Sequence, residues 1–135
     1  LNHLKKIFAI ALLLFTVILA SCETSFGEKY TIGNLEIYYT PPGVSEKYVE
    51  RLGAYFKSNN LIQPNPHSVQ LTSDPYGFVL KMVLDERYTE LPASQLNNFK
   101  LLEEDIKRVV FEGLNFRIEI CNSNFIPLNP IQQPQ

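Results

Sequence analysis

The chain has 135 residues, 14 acidic and 12 basic side chains, a formal charge of −2, two cysteines and no tryptophan. That length suits one domain with a packed core and is too short for two. The charge forms no basic stripe of the kind a nucleic-acid-binding domain presents, so no nucleic-acid partner is expected. Two cysteines are too few for a disulfide framework.

The first segment reads LNHLKKIFAIALLLFTVILASC. Lys5 and Lys6 form a basic start, Ile7 to Ala20 an apolar run broken only by Thr16, and Ala20 and Ser21 a pair of small residues. These are the three parts of a secretory signal. The apolar core is shorter than the roughly 20 residues a spanning helix needs. Leu19-Ala20-Ser21-Cys22 resembles the lipobox of bacterial lipoproteins. The resemblance implies that 1–21 is a signal peptide, that cleavage falls before Cys22, and that fatty acyl chains such as palmitate are attached to the Cys22 thiol and the new α-amino group. Several acyl chains hold a protein at a bilayer stably where one is marginal. In that family an aspartate directly after the cysteine retains the protein at the inner membrane. The residue here is Glu23, which points to the outer membrane. With Lys5 and Lys6 removed, acidic side chains outnumber basic ones by four in what remains.

Residues 22–29 read as a short lipidated tether. The segment YTIGNLEIYYT places Gly33-Asn34 between two β-rich runs, a two-residue hairpin signal. Leu35, Ile37 and Tyr39 alternate with polar neighbours as in a half-buried strand, and Pro41-Pro42-Gly43 ends it. The spacing of Tyr48, Val49, Leu52, Tyr55 and Phe56 predicts an amphipathic helix over 45–59, with Ser45 as its cap. Gly53 inside that helix costs about 1 kcal/mol relative to alanine and implies a close packing neighbour. His67 follows a proline-rich loop with no second ligand beside it, so it reads as an ordinary loop residue and no metal or cofactor is expected.

Residues 68–72 and 78–84 form the arms of a second hairpin around Ser73-Asp74-Pro75-Tyr76-Gly77. Apolar residues on both faces of 78–84 indicate a central strand. A second helix is expected from Ser94 to about Glu112, with Leu96, Phe99, Leu102, Ile106, Val109 and Val110 inward. Its charges form a solvated face braced by Glu103–Lys107 and Glu104–Arg108 at i,i+4. Leu114 to Cys121 alternates as a last strand in which Cys121 is a small structural residue. Residues 122–135 form a proline-rich tail.

After the leading hairpin the element order is β-α-β-β-α-β over residues 30–121. The expected fold class is therefore α+β, a ferredoxin-like plan with two helices on one face of an antiparallel sheet. The expected core is Leu35, Ile37, Tyr39, Val49, Leu52, Phe56, Leu80, Met82, Leu102, Ile106, Phe116 and Ile118. The face without helices then carries Tyr38, Val79, Lys81, Val83, Arg117 and Glu119, the candidate binding face. The alternative is that the leading hairpin or the C-terminal tail covers it, since large exposed apolar patches are uncommon on monomers. No nucleophile–base pair, paired carboxylates or metal motif marks an active site, so no enzyme is expected. Two functions fit a membrane-anchored chain of this kind. One is a protein-interaction or assembly module facing the periplasm or the cell surface. The other is a peptidoglycan binder, since the element order over 35–121 resembles SPOR domains. That resemblance is one of topology, and topology does not fix function.

Overall fold

The computed structural model describes residues 26–85 and 90–128. The expected signal peptide and Cys22 lie outside the described residues. In chain order the elements are β1 (Glu28–Ile32), β2 (Leu35–Tyr39), α1 (Glu46–Ser58), β3 (His67–Asp74), β4 (Gly77–Val83), α2 (Ala93–Val109) and β5 (Phe116–Cys121).

The five strands form one sheet in sequential order, β1 to β5. β1 pairs antiparallel with β2 through a turn at Gly33-Asn34, and β2 pairs parallel with β3. β3 pairs antiparallel with β4, and β4 parallel with β5. This mixed sheet overturns the ferredoxin-like expectation. A ferredoxin plan needs both edges of the first main strand for later strands. Here the leading hairpin takes one edge of β2, so a single edge remains and β3 occupies it. The SPOR-like topology falls with the same finding.

Both helices lie on one face. Leu35, Ile37, Tyr39, Val69, Leu71, Leu80 and Phe116 from the sheet share one buried cluster with Val49, Leu52, Phe56, Ile106, Val110 and Phe111. Each such side chain contributes about 1.5–3 kcal/mol on burial. The sheet order adds a consequence. The two parallel crossovers step the same way across the sheet, but strand direction reverses between β3 and β4. With both helices on one face, the crossovers are of opposite hand, and one is the uncommon left-handed kind.

Of the expected core, Met82, Leu102 and Ile118 are partly buried and pack against the cluster. The centre of this face is an aromatic column. Phe111 is fully buried, with its ring centroid 4.6 Å from Phe78, 4.8 Å from Phe116 and 5.4 Å from Tyr48. Helix α2 ends at Val109 rather than near Glu112, so the chain turns and drives Val110 and Phe111 inward. Leu96 and Val109, expected inward, are exposed instead, and within α2 itself Ile106 is the residue that is fully enclosed. The close neighbours implied at Gly53 are Tyr30 and Ile32 of β1, which a Cβ at that position would approach to 3.0 and 3.2 Å.

The outer edge of β5 is covered. The Ile118 N–H donates to the Glu103 carboxylate at 2.9 Å, so Glu103 closes a sheet edge instead of standing in water. Further along, the Leu128 N–H donates to the Ile120 carbonyl and Asn122 N–H to Ile126, both at 2.9 Å. Residues 122–128 thus continue the domain past β5, and they satisfy edge groups that would otherwise invite strand addition.

Candidate functional site

The strand registers put the six candidate residues on the face opposite the helices. Tyr38, Gln70, Lys81 and Glu119 form one row across β2 to β5. Val79 lies beside Arg117, and Val83 beside Cys121. The face is not open, however. Phe26, just ahead of β1, and Phe125, just after β5, meet over it. Their rings are 5.1 Å apart, and each is edge-on to Tyr38, at 5.7 and 6.1 Å. The Gln70 amide donates to the Phe26 carbonyl at 3.2 Å, fixing the entering chain above the central strand. Gly27 makes this entry possible: its φ is +97°, and a side chain there would collide with the Tyr39 carbonyl. Val79 is 2 % exposed and Phe125 5 %. The two ends of the domain therefore close the middle of the face that the sequence leaves free.

Its polar groups largely satisfy one another. The Arg117 guanidinium donates to Asp74 at 2.6 Å and to Glu119 at 3.1 Å. The hydrogen bond from Arg117 holds the Asp74 carboxyl below the usual carboxylate range, and the same contact raises Arg117. Tyr38 and Ser68 hydroxyls donate to Glu36, at 3.1 and 3.3 Å, and Lys29 stands 3.6 Å from the same carboxylate. Cys121 is fully buried, and burial pushes its thiol up to about 11. A thiol so shifted is a weak nucleophile at neutral pH.

The solvent-facing site lies between the helices. Arg51, Ala54, Tyr55, Ser58 and Asn59 of α1 and its end face Asp105, Arg108, Val109 and Val110 across a cleft of about 410 Å³. Tyr55 belongs to the apolar face of α1, but its hydroxyl reaches the rim and donates to Asp105 at 2.6 Å. Arg108, one turn along α2, donates to the same carboxylate at 2.5 Å. Arg51 donates to Glu112 at 3.0 Å across the mouth. Burial, then the hydrogen bond to Asp105, raises Tyr55 to about 12, while the bonds from Tyr55 and Arg108 lower Asp105. At neutral pH the pair is thus a protonated donor on a charged acceptor. A general acid or base works best with a pKa near the working pH, and these two are pushed away from it on both sides.

This cleft is absent from the sequence reading, which treats the α2 charges as a solvated face. The i,i+4 rule pairs Arg108 with Glu104, but the structure pairs it with Asp105, because Asp105 is the carboxylate turned toward Tyr55. The available signal is a tyrosine on the apolar side of α1, whose hydroxyl must find a partner when the ring is buried.

His67 opens β3, with ring nitrogens near the Gln63 N–H and the Asn65 carbonyl. Among the described residues, no group of three or more His, Cys, Asp or Glu is placed to hold a metal ion, and no helix is long and apolar enough to cross a membrane.

Comparison with known proteins places the chain in a family. The AF_1994_N family model, described as a family N-terminal domain, matches residues 29–131, most of the chain, and the chain belongs to that family. The match begins within β1 and leaves residues 1–28 outside it. Neither the curated proteins nor the solved structures contain a match.

Proposed function

We propose that the protein is a lipoprotein anchored through Cys22, on the periplasmic or outer surface of a bacterial membrane, and that its domain binds a protein partner without catalysing a reaction. Glu23 favours the outer membrane as its station. The anchor is supported by the basic start, the apolar core and Leu19-Ala20-Ser21-Cys22. One observation carries the binding role. The interhelical cleft holds a guanidinium on each wall and an exposed Val109, in an array locked by the Tyr55–Asp105–Arg108 bonds, with its titratable pair tuned away from neutrality. A fixed array of this kind recognises a surface by shape and hydrogen bonding, and partner interfaces favour tyrosine and arginine anchors.

The peptidoglycan-binding alternative is not retained. It rested on SPOR-like topology, and its aromatic platform, Tyr38, is packed against Phe26 and Phe125.

Site-specific photo-crosslinking in intact cells tests the proposal. A crosslinker at Val109 is expected to give one discrete adduct that Arg108→Ala weakens at least tenfold, while a crosslinker at Tyr76, on the β3–β4 turn, gives none. Equal adducts at both positions, or none at Val109, would contradict it.

A further inference from the structure

We infer that the second sheet face is a membrane-docking surface, so that the domain lies with this face toward the lipid and its helical layer away from it. The inference rests on the lipoprotein reading above and adds an orientation to it.

Phe26 is not the free end of a tether. Its carbonyl is held by Gln70 of the central strand, and its ring is wedged between Tyr38 and Phe125. Cys22 precedes it by four residues. Even fully extended, four residues span at most about 14 Å. Acyl chains on Cys22 therefore enter the bilayer within that distance of a point above the middle of the face. The anchor point stands on the side of the sheet away from the helices, so the nearest approach of a lipid surface to it is against this face. The helices, packed on the opposite face of the sheet, then point to the aqueous side, and the interhelical cleft is presented to a partner rather than to the membrane.

The groups around the anchor point suit a bilayer boundary. Val83, on this face, is 39 % exposed, and Ile126, next to Phe125 in the chain, is 57 % exposed. Lys81 projects from the same row as Tyr38 and Gln70 and can meet phosphate headgroups. Interfacial attachment of this sort combines modest apolar burial with attraction to anionic lipid.

The test uses the full chain, processed and purified from membranes, in vesicles of phosphatidylethanolamine and phosphatidylglycerol carrying nitroxide-labelled lipid. A fluorophore is placed at V83C or, on the outer side of α2, at L101C, where the native leucine is 63 % exposed. The buried Cys121 stays in place in both. Quenching at position 83 is expected to exceed that at 101 several-fold. A flexible insert of about 12 Gly/Ser residues between Glu23 and Thr24 should equalise the two, because a longer linker relaxes the distance limit. Equal quenching without the insert, or stronger quenching at 101, overturns the orientation. I126C replaces V83C if the latter does not fold. Mass analysis of the N-terminal peptide separates the two failures. An unmodified Cys22 sinks the lipoprotein reading and this inference together, whereas an acylated Cys22 with equal quenching sinks the orientation alone.

Discussion

The two faces of the sheet are built from the same alternating strands yet are closed in different ways. One face is sealed by two helices and filled with aliphatic and aromatic side chains around Phe111. The other carries Arg117, Glu119, Lys81, Tyr38 and Glu36, and is closed over its centre by two phenylalanines from opposite ends of the domain. The first closure is made by the two helices, α1 packed on β1 and β2 and α2 on β5. The second depends on a contact between residues 26 and 125. Stability should therefore reside mainly in the first face, and the position of the segment entering β1 in the second.

The largest expected effect is at the helical face. Phe111→Ala removes the centre of the aromatic column and should cost about 3–5 kcal/mol in urea unfolding. Phe125→Ala, on the other face, should cost no more than about 3 kcal/mol, because one side of its cluster is a half-buried residue, Phe26. A larger loss for Phe125→Ala than for Phe111→Ala would reverse the comparison.

Tyr55→Phe, at the cleft, should cost about 1 kcal/mol at neutral pH. It also has a pH signature. The folded-state pKa of Tyr55 is raised to about 12, so its contribution is complete below the ordinary tyrosine value near 10 and is lost as pH rises from there toward 12. Thermal unfolding of the parent should show this alkaline loss, and the difference between parent and Tyr55→Phe should shrink over the same range. Asp74 and Asp105 act at the acid end. Both are held below the usual carboxylate range, so their contributions are present above about 3.9 and fade as pH falls through the lowered values. Replacing both with asparagine should flatten the acid limb of the stability curve.

The smallest effect concerns chemistry rather than stability. Cys121 should react with a thiol reagent at pH 7.5 at least 100-fold more slowly in the folded chain than after denaturation, given full burial and a thiol raised to about 11. Rapid labelling would mean that the tail over β5 opens readily.

Much of the element pattern was legible in the residues. The alternation at Leu35, Ile37 and Tyr39, the spacing of Val49, Leu52 and Phe56, and the glycine in the first turn each follow from rules spanning a few positions. Pairing was not legible. Nothing in an alternating strand says which neighbour takes its edge, and the leading hairpin, read as an appendage, was the element that decided the sheet by occupying β2. The end of α2 was likewise hidden, because Val109, Val110 and Phe111 all fit an apolar stripe and only packing shows which one turns out. The candidate face was legible as a set of residues, with covering by the tail as one of two readings, but the share of Phe26 in that cover was not legible. Phe26 sat in a segment of polar tether and Phe125 in a proline-rich tail, and no periodicity links two residues so far apart. The cleft was missed for the same reason: Tyr55 and Asp105 meet only when two helices do.

The most direct test of the account is a double-mutant cycle between Phe26 and Phe125, read by urea unfolding of the two alanine variants and their combination. Contact between the rings predicts a coupling of about 0.5–1.5 kcal/mol. Strict additivity would mean that Phe26 and Phe125 do not meet on the sheet, and both the closed second face and the orientation proposed from it would be wrong.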